Sequence, residues 1–441
     1  MPTAFPSLRQ TQVETLLRLV AVGECCAFFG LSNTGKSPLL RALPAPQHLA
    51  RYEQLAGRPG ALIYVDCNRL VELTAPGFYE IVVRSLLEAL EESNGAPANL
   101  LQHLREQHNR LTTAASVFQA SLAFNQAIAE SCQQLGSDLV LLLDEFDEVY
   151  TALEERALLN LRALKDKFQS RLTYITATVR PLNESRPGGE DEFAELFAGH
   201  TLPLGLLSPE DARQVISASG GAALPSERVD DILRLAGGHF GLLGVLTQAA
   251  QRPMEDLTAV PNARAECLKI WNQLRAEEQA ALKSLVTEAD EGLNPHDRER
   301  LRHLGLLTAE GELFSPLFTS FVRRQSAAPA QAAVGVLVDE DAGEVWVEGV
   351  KVTVLTDLEY KLMRLLYQRL DRLTTKDMIV EAVWGGQYFD TVDDARIEKL
   401  VSRLRAKVEP DPAHPRYLLT QRGRGYKLAS HPSPSKDESE A

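Results

Sequence analysis

Residues 30–37 read GLSNTGKS, two glycines separated by four residues and then Lys36 and Ser37. This pattern cradles the phosphates of a nucleoside triphosphate. Glycine lets successive main-chain N–H groups close around phosphate oxygens at backbone angles that other residues resist. Lys36 adds a charge near the outer phosphates, and the Ser37 hydroxyl is placed to ligate Mg²⁺. The flanks agree with this. Glu24 to Phe29 (ECCAFF) is an apolar run suited to a buried strand, and Pro38 to Leu43 reads as the following helix, its N-terminus facing the phosphates. Pro38 falls in the first turn, where a missing N–H does little harm. The expected ligand is ATP with Mg²⁺, held by Gly30, Asn33, Thr34, Gly35, Lys36, Ser37 and Pro38.

The second half of such a site stands about a hundred residues on. Leu139 to Asp144 (LVLLLD) is a wholly apolar strand that runs into Asp144, Glu145, Phe146 and Asp147. Burial on both faces places these acids at the carboxyl edge of a parallel sheet, where ligands of such sheets bind. Asp144 is expected to hold the Mg²⁺ shell with Ser37, and Glu145 to polarise the attacking water. With Lys36 they form the expected catalytic set, because phosphoryl transfer is catalysed mainly by positioning and charge.

Further strands are expected at Ala61 to Asp66, Leu172 to Thr178 and His200 to Gly205, with helices over 7–21, 78–92 and 114–135. Alternating strands and helices give a mainly parallel sheet covered on both faces. Thr178 and Arg180 fall at a strand end near the expected γ-phosphate; Arg180 reads either as a phosphate sensor or as an exposed loop arginine. After Ser208, a helix cap with Asp211 three residues on, the pattern turns helical. Between two of these helices stands Ala236-Gly237-Gly238-His239-Phe240, in which the glycines end one helix and open the next, or else bring His239 over the nucleotide. Residues 263–324 read as three helices and a short hairpin (LLTAEGELFS), a small winged helix. Its third helix mixes Arg298, Arg300 and Arg302 with Asp297 and Glu299, which fits a solvated face as well as a DNA-binding one.

Composition narrows the setting. The 441 residues suffice for about three domains. The five cysteines show no paired spacing for zinc or a disulfide framework, so a reducing cytoplasm is the simplest location. No apolar run approaches the roughly 18 residues of a membrane span. The net charge of −14 excludes indiscriminate coating of nucleic acid, yet Val345 to Leu428 holds 15 basic and 12 acidic residues. Contact with nucleic acid is expected from that late segment.

Ser326 to Gly335 (SAAPAQAAVG) is a linker by composition. Beyond it, Glu344 to Leu355 reads as two strands turning at Glu348 and Gly349, and Thr356 with Glu359 forms a capping box. A second helix covers about Lys376 to Trp384. A third, capped by Thr391, turns Ile397, Leu400, Val401, Leu404 and Val408 to the core and Arg396, Lys399, Arg403 and Lys407 to another face. Such a basic face can reach guanine edges and phosphates in a major groove. The closing hairpin YLLTQRGRGYKL carries Arg422 and Arg424 at its tip, suited to a minor groove. The tail after Ser430 reads as disordered.

The last segment resembles the OmpR/PhoB-type winged-helix DNA-binding domain through its opening hairpin, LTDLEYKLMRLL, TVDDARIEKLVSRLRAKVEPDP and YLLTQRGRGYKL. The resemblance implies double-stranded DNA as partner, Arg396, Lys399, Arg403, Arg422 and Arg424 as its contacts, and RNA polymerase as a partner of the loop before the third helix. No phosphoacceptor receiver is recognisable upstream. Residues 7–325 resemble the STAND class of P-loop ATPases, related to AAA+ proteins, with GLSNTGKS and LVLLLDEFDE as Walker A and Walker B motifs. AGGHF resembles the lid motif of that class, with Phe240 where proline commonly stands.

The expected fold is therefore multidomain α/β plus winged helix: a P-loop ATPase core (1–205), a helical lid (206–262), a winged-helix regulatory domain (263–325), a linker (326–340), a winged-helix DNA-binding domain (341–429) and a tail (430–441). The expected function is a cytoplasmic, ATP-dependent transcription regulator with slow turnover that forms a homo-oligomer in its ATP state. The alternatives are a replication-initiator-like origin-binding ATPase and an ATP-binding protein-interaction switch without turnover.

Overall fold

The computed structural model describes residues 8–93, 95–186, 191–252, 256–287, 293–308, 310–326, 335–339, 344–348, 350–352, 355–384, 394–421 and 423–430. Two compact units divide the chain, Met1–Ser320 and Phe321–Ala441.

The first unit opens with α1 (Gln10–Ala21), β1 (Cys26–Phe29), α2 (Lys36–Ala42), α3 (Pro46–Ala56) and β2 (Gly60–Asp66). Three helices, α4 (Ala75–Ser93), α5 (Ala98–Thr112) and α6 (Val117–Gln134), then lead to β3 (Asp138–Asp144). After α7 (Asp147–Ala152) and α8 (Glu155–Phe168) come β4 (Leu172–Thr178) and β5 (Thr201–Pro203). The strands form one parallel sheet in the order β2-β3-β4-β1-β5. β1 and the interior of β3 are apolar on both faces because both faces are covered. Ile63, Val65, Leu139, Leu141, Leu143 and Tyr174 pack into the core beneath α4, α5, α6 and α8. Leu62, Val140, Leu142, Ile175 and Phe28 pack the opposite way with α1, α2 and α3. Parallel register aligns the carboxyl ends, with Asp66 opposite Asp144 and Phe29 opposite Thr178.

The same unit continues through α9 (Pro209–Ala218), α10 (Ser226–Ala236) and α11 (Phe240–Ala250), then α12 (Pro261–Asn272), α13 (Ala276–Val286) and α14 (Pro295–His303). Ser208 caps α9 by accepting from the Asp211 N–H, and Gly237, at φ 56°, ends α10. The hairpin expected at LLTAEGELFS is seen, among the described residues, as one antiparallel bridge, Leu307 with Leu313, flanked by bonds from the Thr308 N–H to the Glu312 carbonyl and from the Phe314 N–H to the Leu306 carbonyl. The boundary between the two units falls within α15 (Pro316–Ser326).

The second unit begins with β6 (Val336–Asp339), β7 (Glu344–Val347) and β8 (Val350–Lys351), an antiparallel sheet of three strands. The sequence reading assigned 336–339 to the linker. Its alternating Val336 and Val338 are instead buried in the core of this unit, against a sheet face that α16 helps cover. The unit continues with α16 (Asp357–Gln368), α17 (Lys376–Val383), α18 (Asp394–Val408), β9 (Leu418–Gln421) and β10 (Gly425–Leu428). The Thr356–Glu359 capping box forms as expected. Thr391, Arg422 and the tail after Ser430 lie outside the described residues.

Candidate functional site

The phosphate loop leaves β1 and enters α2 by a path that only certain residues permit. Asn33 and Gly35 take φ of 58° and 98°, a region open to glycine and tolerated by asparagine. A Cβ on Gly30 would stand 3.0 Å from the Leu204 carbonyl oxygen, and one on Gly35 would stand 3.4 Å from the Phe240 ring. Gly30 donates to the Thr178 carbonyl at 3.1 Å, which ties the loop to β4. No described residue accepts from the N–H groups of Asn33, Thr34 or Gly35, so the cradle retains its donors for an anion. Thr34 Oγ1 donates to the Leu31 carbonyl at 2.8 Å. Lys36 is 3% exposed, and its Nζ turns back onto the Gly30 and Leu31 carbonyls at 2.8 and 3.1 Å. Burial lowers its pKa, while Glu145, Asp147 and Asp144 pull it upward. Ser37 and Pro38 sit half-buried in the first turn of α2.

The acids meet this loop from β3. Asp144 is 1% exposed; its Oδ2 accepts from the Tyr64 hydroxyl at 2.6 Å and its Oδ1 from the Glu145 N–H at 3.1 Å. Glu145, at φ 51°, is half-buried. Burial raises its pKa against the opposing pull of Lys36. Asp147 accepts from the Val179 N–H at 2.7 Å, and its Oδ2 is buried without a partner among the described residues. The donor set fits a phosphate ligand with its cation: amide donors and an ammonium on one side, a hydroxyl and hard carboxylate oxygens on the other.

Arg180 is neither an exposed loop residue nor turned into the phosphate loop. Its guanidinium forms a two-pronged pair with Glu278 of α13 at 2.8 and 2.6 Å and donates to the Gln273 carbonyl at 3.0 Å. Its own carbonyl accepts from Thr178 Oγ1 at 2.6 Å. His239 caps α11 through Nδ1, which accepts from the Leu242 N–H at 3.3 Å. Its Nε2 is buried and unpartnered among the described residues. Burial drives its pKa down to about 4, with Glu266 and the Ser32 backbone opposing and Lys36 adding to the effect.

Local pattern missed several residues that hold the loop tip. The Asn33 carbonyl accepts from the Gly241 N–H at 2.9 Å, and Asn33 Nδ2 donates to Glu266 at 2.7 Å. Gln273 accepts from the Ser32 N–H at 2.7 Å and donates to the Ser32 hydroxyl. Arg9, 2% exposed, donates to the Thr34 and Gly205 carbonyls at 3.0 and 2.6 Å. Its pKa falls to about 10 through burial, with Asp211 opposing. A cavity of about 550 Å³ lies beside this region, lined by Phe29, Arg180, His296, Arg300 and His303. The third helix of the internal winged helix thus turns part of its basic face inward, and Arg300 pairs with Glu277 and Glu278. Arg298 and Arg302 remain on an exposed face.

In the second unit, α18 buries Ile397, Leu400, Val401, Leu404 and Val408 and exposes Arg396, Lys399 and Arg403. Their spacing of three and four residues puts these cations on one face. Lys407 departs from that face: its Nζ bonds Glu359 at 2.7 Å, a carboxylate only 4% exposed. Arg424 is exposed beside the β9–β10 turn.

A phosphate loop after β1, paired acids after β3 and this strand order define a P-loop nucleoside triphosphatase, joined in one chain to a winged-helix DNA-binding domain. The family model described as Novel STAND NTPase 1 matches residues 8–324, well over half of the chain, and the chain belongs to that family. The model described as Transcriptional regulatory protein, C terminal, matches residues 351–428. Over 93 residues the chain is 37% identical to the uncharacterized transcriptional regulatory protein YrkP of Bacillus subtilis (strain 168), a match that covers 21% of this chain and 39% of that relative. Among solved structures, a Walker-type ATPase of Pyrococcus abyssi is similar over 71% of this chain and 95% of that one (14% identity, TM-score 0.46). A Pyrococcus horikoshii STAND protein with a tetratricopeptide repeat sensor covers 90% of this chain and 53% of its own (13% identity, TM-score 0.32). No helix among the described residues is long and apolar enough to cross a membrane.

Proposed function

We propose that this protein is a cytoplasmic transcription regulator in which ATP, slowly hydrolysed, sets the availability of the C-terminal domain for sequence-specific binding to double-stranded DNA. The ATPase core, lid and internal winged helix (1–205, 206–262, 263–325) act as the switch. Gly30, Asn33, Thr34, Gly35 and Pro38 shape the phosphate cradle, and Lys36 exchanges its loop carbonyls for phosphate oxygens. Ser37 and Asp144 hold Mg²⁺, which supplies neutralisation of charge on the outer phosphates. Glu145 orients the attacking water. His239 Nε2 is available to a phosphate, and Arg180 reaches the γ-phosphate by giving up Glu278. Arg396, Lys399, Arg403, Arg422 and Arg424 contact DNA; RNA polymerase and further copies of the chain in the ATP state complete the assembly.

One observation carries this reading. The tip of the phosphate loop, Ser32 and Asn33, is hydrogen-bonded to the lid through Gly241 and to the winged helix through Glu266 and Gln273. A ligand that reshapes the loop acts on both, and a ligand shifts an equilibrium by its differential affinity for the two states. The test is DNA binding by the full chain, at fixed salt, with ADP and with a non-hydrolysable ATP analogue, beside Lys36→Ala. Selective binding that differs between nucleotides, a difference Lys36→Ala abolishes, is expected. Identical binding in all three conditions refutes nucleotide control.

A further inference from the structure

We propose that Tyr64 is a positioning residue for the Asp144 carboxylate and that Arg41 directs the Tyr64 hydroxyl toward it. The inference rests on the reading of Ser37 and Asp144 as the cation-holding pair. Tyr64 lies on β2 opposite Leu142, so Tyr64, Leu142 and Asp144 share one face of the sheet. Its hydroxyl donates to Asp144 Oδ2 at 2.6 Å, and Arg41 Nε donates to the same hydroxyl oxygen at 2.9 Å. With an N–H already directed at that oxygen, the single phenolic hydrogen is committed to the carboxylate. The Arg41 guanidinium also lies 5.1 Å from the Tyr64 ring centre and 3.5 Å from Asp66, which fix its place.

The other Asp144 oxygen accepts from the Glu145 N–H at 3.1 Å. Both oxygens are held, so the carboxylate cannot rotate, yet each keeps a lone pair for a cation or its water. Arg41 follows Ser37 by four residues on α2 and so shares its side of the helix. The helix that offers the Ser37 hydroxyl thereby also orients, through Tyr64, the acid that completes the pair. A tyrosine serving only to pack β2 would need neither partner.

The experiment measures affinity of the full chain for a fluorescent, non-hydrolysable ATP analogue in EDTA and across a Mg²⁺ titration, for wild type, Tyr64→Phe, Arg41→Ala, Arg41→Lys and Asp144→Asn. Tyr64→Phe is expected to keep its EDTA affinity and to need about tenfold more Mg²⁺ for half-effect, the low end of what outer-shell partners contribute. Arg41→Ala, at a side chain that is 56% exposed and so removable without harm to the core, shifts the midpoint the same way by less. Arg41→Lys recovers part of that shift. An unmoved midpoint in Tyr64→Phe, with wild type responding to Mg²⁺ and Asp144→Asn not, overturns the inference alone. Loss of EDTA affinity in both Tyr64→Phe and Arg41→Ala shows a merely structural role and overturns it too. A wild-type affinity indifferent to Mg²⁺ overturns the cation reading and this inference with it.

Discussion

Removing the Glu278 carboxylate tests what binds the internal winged helix to the sheet edge. The Glu278 side chain is 2% exposed and that of Arg180 13%. The carboxylate accepts two bonds from Arg180 at 2.8 and 2.6 Å and one from the Arg275 N–H at 2.8 Å, and it forms an ion pair with Arg300 Nε at 2.9 Å. Burial alone would raise its pKa; the Arg180 hydrogen bond, the Arg275 N–H and the charges of Arg180 and Arg300 together leave it lowered. In Glu278→Ala, Arg300 keeps Glu277, but Arg180 is left buried with the Gln273 carbonyl as its one side-chain partner among the described residues. Breaking a buried pair from one side costs about 3–5 kcal/mol. Arg180→Ala leaves Glu278 with Arg300 and the Arg275 N–H, and should cost about 1.5–3 kcal/mol, the range for charged hydrogen bonds. The double variant should cost little more than Glu278→Ala, a coupling of about 2 kcal/mol. Trp271, the only tryptophan before residue 321, reports on this region. Urea unfolding would be followed by its fluorescence in a background carrying Trp346→Phe and Trp384→Phe. Effects additive to within about 0.5 kcal/mol refute the idea that this pair holds the winged helix in place.

Three further outcomes are expected. Lys399→Ala and Arg403→Ala should each weaken DNA binding and lower the slope of log affinity against log salt by about 1, whereas Lys407→Ala should lower the melting temperature of the second unit, because it strands the buried Glu359. His239 titrates at about 4 in the fold against 6.5 when free, so the unfolded chain binds the extra proton between those values. Stability should therefore rise with pH across that window by about 3 kcal/mol, and His239→Gln should flatten the rise in pH-dependent urea unfolding. Glu409, 7% exposed, accepts from the N–H groups of Arg416, Tyr417 and Leu418 at 2.8, 3.0 and 2.6 Å. Glu409→Ala should cost about 3 kcal/mol, read as earlier melting of the second unit by Trp384 fluorescence.

What was legible in the sequence follows from the range of the interactions involved. The phosphate loop and Leu172–Thr178 stand where their patterns place them because glycine backbone freedom and strand hydrophobicity act within a few residues. The capping box at Thr356 is equally local. α5 escapes the sequence reading: its buried Leu100, Leu104, Gln107 and Leu111 do follow a helical period, but they are diluted by a polar majority. The attachments of Arg180, Asn33 and Ser32 were not readable at all, since their partners lie 98, 233 and 241 residues away. Lys407 shows the limit of periodicity. Helical spacing puts it beside Arg403, yet the cost of burying Glu359 without a counter-ion draws it inward.

The loop tip explains why so many polar groups are buried in one place. Arg9 holds the Thr34 carbonyl from the N-terminal side in a left-handed conformation, φ 56°, and its guanidinium keeps its Nε unpartnered among the described residues. Glu266 and Gln273 hold Asn33 and Ser32 from the other side, and Phe240 lies against Gly35 from above. Each polar arrangement costs desolvation or backbone strain that an apolar contact would avoid. The two sides also differ in what they can tolerate. Arg9 sets a cation beside the loop, which added negative charge attracts. Gln273 instead takes the Ser32 N–H, and Glu266 sets a carboxylate beside Asn33, so added negative charge at the loop weakens the winged-helix side first.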